Sequence, residues 1–182
     1  DIEQFREDDF FAKTLNLSKG VAPSSPTLRL RLNAATDMWD KAVLKANTCL
    51  LKEYAKITPC PEGFVRLDYD VSPFDNSGSK KEGVSMTYKM KDGFAPMFVY
   101  MGQEGHMINL EFREGKCHCQ NGTPEFIRET IRIAKKIDNR PLLSVFDSGN
   151  DCIDNIVECR AEGSDFIIKR NLRRESKATW LK

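Results

Sequence analysis

Leu142-Leu143-Ser144-Val145-Phe146-Asp147-Ser148-Gly149-Asn150 is the stretch that decides the fold. A short apolar run enters an acid and then a tight polar turn. Such a run, bounded by turn residues, reads as a buried strand in the middle of an α/β sheet. Asp147 then stands at the carboxyl end of a central strand. Far upstream a second acid cluster, Asp68-Tyr69-Asp70, lies on another extended run over 64–72. Carboxylates at the ends of separate strands of one sheet are a common way to hold divalent cations for phosphoryl chemistry.

Outward from these two runs, the chain alternates. After Pro61 an extended segment ends at Pro73, and Asp75-Asn76-Ser77-Gly78-Ser79-Lys80-Lys81 reads as a polar loop. Strands over 95–101 and 107–113 are joined across Gly102-Gln103-Glu104-Gly105, the pattern of a hairpin. Thr123-Pro124 makes a helix cap and first turn, and Phe126, Ile127, Ile131, Ala134 and Ile137 then form one apolar helical face. The central strand follows, then a helix over 151–161 with Ile153, Ile156 and Val157 inward and Gly163 at its end. A last short strand covers 165–169. The order β-β-β-α-β-α-β predicts a mixed α/β sheet, antiparallel at first and then alternating with helices.

Residues 1–60 read as a separate helical region that could contact DNA, and 61–182 as the sheet domain. Phe5, Phe10, Phe11 and Leu15 give an early amphipathic segment, broken at Gly20, Pro23 and Pro26. Ser25 or Thr27 is suited to cap a helix carrying Leu28, Leu30 and Leu32, and a longer helix is expected from about Asp37 to before Pro59.

With 40% apolar and 30% charged residues, a core can form around such a sheet. The 28 basic and 27 acidic residues leave a net charge of +1, so total charge announces no nucleic-acid partner. Local charge does. Lys169, Arg170, Arg173, Arg174, Lys177 and Lys182 face one acid, Glu175, with Trp180 among them, a mixture that suits a phosphate backbone or a solvated helix equally well. No run approaches a membrane span and no leader pattern is read, so no membrane partner is expected. The start at Asp1 suggests a piece of a longer protein. The six cysteines read as reduced thiols: Cys117-His118-Cys119 cannot close a zinc tetrahedron without a distant pair, for which Cys60 and His106 are the loose candidates.

Asp68 and Asp70, two apart on a strand, point to one face, and Leu67, Tyr69 and Val71 to the other. Adjacent acids are costly unless solvated, paired or bound to a cation. From spacing alone two readings stay open. Asp147 is a metal ligand or the cap of a turn at Asn150; Asp68 and Asp70 are ligands or charged residues guarding an edge strand.

Several segments, taken in order, resemble a DDE transposase of bacterial insertion sequences. They are Leu67-Asp68-Tyr69-Asp70-Val71-Ser72-Pro73-Phe74-Asp75-Asn76-Ser77-Gly78, Gly102-Gln103-Glu104-Gly105, Phe112-Arg113-Glu114-Gly115 with His118, Phe146-Asp147-Ser148-Gly149-Asn150-Asp151, and Phe166-Ile167-Ile168-Lys169-Arg170. The resemblance covers most of 62–175. Asp9-Phe10-Phe11 and Ser25-Pro26-Thr27-Leu28 are similar to the helical region that precedes such a domain. It implies a ribonuclease-H-like fold, with cleavage and strand transfer dependent on Mg²⁺ or Mn²⁺. Double-stranded DNA (transposon ends and target) would be the partner, the full-length protein could form a homodimer on paired ends, and the setting would be the bacterial cytoplasm, in association with the nucleoid. It also implies that Asp70, followed by Ser72, is the first metal ligand with Asp68 as fallback, and that Asp147 is the second. The family's third carboxylate, a glutamate on a later helix, has no counterpart in this chain, and Glu175 follows the last strand too closely to serve. The C-terminal part of the catalytic fold is thus expected to be missing and the chain inactive alone. The alternative is a DNA-binding remnant of a decayed element with no enzymatic role.

Overall fold

The computed structural model describes residues 2–18, 22–35 and 38–181. Gly20, Asp37 and Lys182, which figure in the reading above, lie outside them. The chain divides into two compact units, Asp1–Val43 and Leu44–Lys182.

The first unit is helical. Helix α1 (Ile2–Arg6) and helix α2 (Asp9–Thr14) replace the single early segment, and the rings of Phe5 and Phe11 meet at 4.9 Å. Asp8 caps α2 by accepting the Phe11 N–H at 2.8 Å. Helix α3 (Ser25–Asn33) is capped by Ser24, one residue before the expected position, whose hydroxyl accepts the Thr27 N–H at 3.4 Å, with Pro26 in the first turn. Helix α4 (Met38–Tyr54) begins in this unit and runs into the second.

The second unit is built on a five-stranded sheet. Strand β1 (Val65–Val71) is central. Short strands β2 (Phe74–Asp75), β3 (Ser85–Met86) and β4 (Asp92–Phe94) follow, then β5 (Met97–Met101) and β6 (His106–Glu111). Helix α5 (Thr123–Ile137), β7 (Leu142–Phe146), helix α6 (Ile153–Ala161), β8 (Asp165–Ile168) and a short helix α7 (Lys177–Trp180) complete the chain. The sheet order is β6-β5-β1-β7-β8, with β6, β5 and β1 antiparallel and β1, β7 and β8 parallel. Numbered within the sheet this is 3-2-1-4-5, the ribonuclease-H-like mixed α/β arrangement. Gly102 and Gly105, both at positive φ, turn the β5–β6 hairpin.

One face of the sheet is the core. Val65, Leu67 and Tyr69 of β1 and Leu142 and Phe146 of β7 pack on Phe126, Ile127, Ile131 and Ala134 of α5 and Cys159 of α6. Each fully buried aliphatic contributes about 1.5–3 kcal/mol relative to exposure. Tyr69 stacks on Phe146 at 4.3 Å, and burial drives its phenol far above the usual range. Three details differ from expectation. Gly122 rather than Thr123 occupies the cap of α5, at φ 70°; Thr123 is drawn inside, where its hydroxyl accepts from buried Arg113 at 3.1 Å. Helix α6 turns Asn155, Glu158 and Cys159 inward and leaves Ile153 and Val157 exposed. Polar anchors set that rotation: Asn155 donates to the Asn150 carbonyl, and Glu158 is gripped by Arg128 of α5 at 2.7 and 2.8 Å. Finally, 76–81 is loop as read, but Phe74–Asp75 before it and the segment after it, to which no strands were assigned, form a three-stranded sheet, β2-β4-β3.

Candidate functional site

β1 and β7 are parallel neighbours, paired from Val65 with Leu142 to Tyr69 with Phe146. The next residue on each strand is an aspartate. Asp70 and Asp147 therefore stand side by side at the carboxyl ends of two central strands, both exposed, on the face opposite the helices.

Each carboxylate is oriented by its own turn. The Ser72 hydroxyl donates to Asp70 Oδ2 at 2.7 Å. Asp147 Oδ1 accepts from the Gly149 N–H at 3.2 Å and from Asn150 Nδ2 at 2.8 Å, while Asn150 itself is fully buried. Asp147 thus does cap the turn Ser148–Asn150, with one oxygen. Among the described residues its Oδ2 and Asp70 Oδ1 meet no hydrogen-bond donor, and neither acid is paired with a Lys or Arg.

Asp68 differs. On the same face one step back, it is held bidentately by Arg66 at distances from 2.7 to 3.1 Å, which leaves it charge-compensated. The site also gains neighbours that the spacing of acids does not reveal. The Tyr88 phenol is raised by partial burial and then by the charges of Asp70, Asp147 and Cys119, and its hydroxyl reaches the Val71 carbonyl at 3.4 Å. Cys119 lies against the turn after β7, donating to the Gly149 carbonyl at 3.0 Å, and its thiol is raised by burial and then by Asp147. His118 is exposed next to it, its Nδ1 accepting from the Gln120 N–H at 3.3 Å.

The donor set suits a hard divalent cation: carboxylate oxygens only, exposed, with coordination sites open. No group of three or more His, Cys, Asp or Glu able to hold a metal occurs among the described residues. Cys60 and His106 lie at the opposite end of the sheet from Cys117–Cys119, and His106 bonds the Lys56 carbonyl at 3.0 Å.

The basic run is only partly available. Arg170 pairs with Asp151 at 2.9 Å and with Glu175 at 3.6 Å, and lies over the Trp180 ring at 4.8 Å. Asp151, nearly buried, also accepts the Asn171 N–H, so this arginine ties down the chain after β8. Lys169, Arg173, Arg174 and Lys177 remain exposed.

A family model described as transposase DDE domain group 1 matches residues 1–178. The chain belongs to this family. Similar solved structures include a piggyBac transposase synaptic complex with hairpin DNA, 16% identical at a TM-score of 0.39, covering 97% of this chain and 40% of that one. A Mos1 transposase paired-end complex with the left transposon end is 12% identical at a TM-score of 0.37, covering 90% of this chain and 56% of that one. This DDE transposase chain therefore spans about half the length of those proteins or less. No curated protein matches it.

Proposed function

We propose that this chain is the aspartate-bearing part of a transposase that cleaves double-stranded DNA at insertion-sequence ends and joins them to a target. The observation that carries the reading is the parallel pairing of β1 with β7, which makes Asp70 and Asp147 neighbours. In it, Asp70 and Asp147 hold Mg²⁺ or Mn²⁺ and Asp68 stays with Arg66. A divalent ion held so supplies activation of water and stabilisation of the leaving oxygen in an in-line displacement. Ser72 and Asn150 fix the two carboxylates, and neither acid acts as a covalent nucleophile. Lys169, Arg173, Arg174 and Lys177 contact DNA phosphates, whereas Arg170 mainly braces the segment that carries them. A homodimer on paired ends belongs to the same reading.

Two carboxylates bind and align a cation less well than three, so the chain alone is expected to bind metal weakly and not to cut. The exposed cations Lys169, Arg173, Arg174 and Lys177 also fit a second reading, a DNA-holding remnant without catalysis. Manganese titration followed by electron paramagnetic resonance, alongside DNA binding and nicking assays, separates them. The main reading expects Mn²⁺ binding that Asp70→Ala and Asp147→Ala each abolish. Steeply salt-dependent DNA binding with no bound Mn²⁺ would leave the remnant. Metal-dependent nicking lost in Asp70→Ala would refute the expected inactivity of the chain.

A further inference from the structure

The three-stranded sheet β2-β4-β3 is anchored unusually closely. A Cβ on Gly93 would lie 1.8 Å from the Phe74 carbonyl oxygen, and one on Gly115 would lie 2.0 Å from that of Ser85 and 2.4 Å from that of Gly93. These are backbone-to-backbone approaches that only glycine permits. Phe94 bridges to Glu114, and the Phe94 and Phe112 rings pack at 4.5 Å. The small sheet is thus fixed beside the carboxyl end of β1, one turn after Asp70.

What it presents is aromatic and basic. Tyr88, at the tip between β3 and β4, is 67% exposed, yet its hydroxyl reaches the carbonyl of Val71, the residue after Asp70, at 3.4 Å. Lys89 lies 5.9 Å from its ring. Phe74 is 48% exposed and meets Phe98, whose register partner across β1–β5 is Asp70 itself. Lys91 and Lys116 are neutralised by Asp75 and Glu114. Lys80, Lys81 and Lys89 are exposed and enter no salt bridge among the described residues. Aromatic faces alternating with lysines suit one nucleic-acid strand, because bases stack on rings while phosphates follow the cations.

We propose that this small sheet is a strand clamp, in which Tyr88 and Phe74 take unpaired bases next to the Asp70–Asp147 pair and Lys80, Lys81 and Lys89 hold the flanking phosphates. The proposal rests on the reading that the pair acts on DNA. It adds where the strand lies and which residues fix it. Tyr88 is a positioning residue: its ring orients the strand, and its hydroxyl is spared because it already reaches the Val71 carbonyl.

The test uses a single-stranded oligonucleotide carrying 2-aminopurine, with anisotropy for affinity and emission for stacking. Tyr88→Ala should weaken binding between about fivefold and about a hundredfold and abolish the quenching of 2-aminopurine. Tyr88→Phe should restore both, which a role through the hydroxyl would not. The triple change Lys80→Ala, Lys81→Ala, Lys89→Ala should lower the salt slope of log K by about 2, three phosphate contacts at roughly 0.7 each on a single strand. These positions are exposed, so melting temperatures should be unchanged. A wild type that binds DNA with the same affinity, slope and quenching as the variants overturns the clamp and leaves the acid pair's function standing. A wild type that binds no DNA overturns both.

Discussion

Removing one charge from the acid pair should make this protein more stable while costing it its cation. Asp70→Asn keeps the shape of the side chain and the acceptor for Ser72, and deletes only the charge facing Asp147. Neighbouring strands lie about 4.8 Å apart. Two unit charges roughly 5 Å apart in water repel by about 0.8 kcal/mol, and physiological salt screens that to about half. The unfolded chain separates the two residues, so the repulsion is a property of the folded state. The variant should therefore gain about 0.4–0.8 kcal/mol, or about 1–3 °C in melting temperature for a chain of this size. The cation response should move the other way. A ligand at ten times its dissociation constant stabilises the form that binds it by about 1.4 kcal/mol, so Mn²⁺ should raise the wild-type melting temperature by about 3–6 °C and leave Asp70→Asn unmoved. Differential scanning fluorimetry with and without Mn²⁺ measures both. An Asp70→Asn protein that melts lower than wild type without metal, or that still responds to Mn²⁺, would refute the argument that these two carboxylates are adjacent, unpaired and the ones that take the ion.

Other perturbations test the frame around the site. Gly93→Ala sets a methyl carbon against the Phe74 carbonyl and should cost more than about 2 kcal/mol, read as a lower urea midpoint together with loss of hydrogen-exchange protection in β2–β4. Arg128→Ala leaves the largely buried Glu158 carboxylate unpaired between α5 and α6 and should destabilise by about 1–3 kcal/mol, whereas the paired change Arg128→Met with Glu158→Leu should recover much of it. Hydrogen bonds from the Thr58 hydroxyl and N–H hold the Glu104 carboxyl down at about 2. Because its folded value is depressed, its stabilisation is complete above the unfolded value of about 4.5 and is lost as pH falls toward 2. Glu104→Gln should therefore flatten the acid limb of a stability-against-pH curve over that window and leave the neutral region's slope unchanged.

Much of this architecture is legible in the chain. The run Leu142–Phe146 declares a buried central strand because nothing polar but Ser144 interrupts it, and Ser144 finds Ser164 at 2.9 Å inside. The face of α5 is legible because its apolar residues repeat at helical spacing. The juxtaposition of Asp70 and Asp147 follows once the first and fourth strands are neighbours, which the strand order suggests and the parallel register supplies. What escapes is what depends on partners far apart in sequence. Helix α6 carries Ile153 and Val157 on a face that looks inward by hydropathy alone. Its rotation is set instead by Arg128 and the Asn150 carbonyl, which no local pattern reveals. Arg170 reads as a free cation in a basic run until the fold brings Asp151 to it across nineteen positions. The strands β2, β3 and β4 are two or three residues long, below the length at which alternation can show, and exist because Gly93 and Gly115 allow backbones to touch. The only hint of them is the glycines themselves. Tyr88 escapes with them, since its place beside the acids depends on that small sheet.

Asp70 and Asp147 are expected to hold a divalent cation together, and anomalous diffraction from Mn²⁺-soaked crystals would show whether they do. One strong peak is expected within bonding distance of an oxygen of each carboxylate, with Asp68 still on Arg66. A crystal without that peak, or with Mn²⁺ bound elsewhere while Asp70 and Asp147 turn apart, would contradict it.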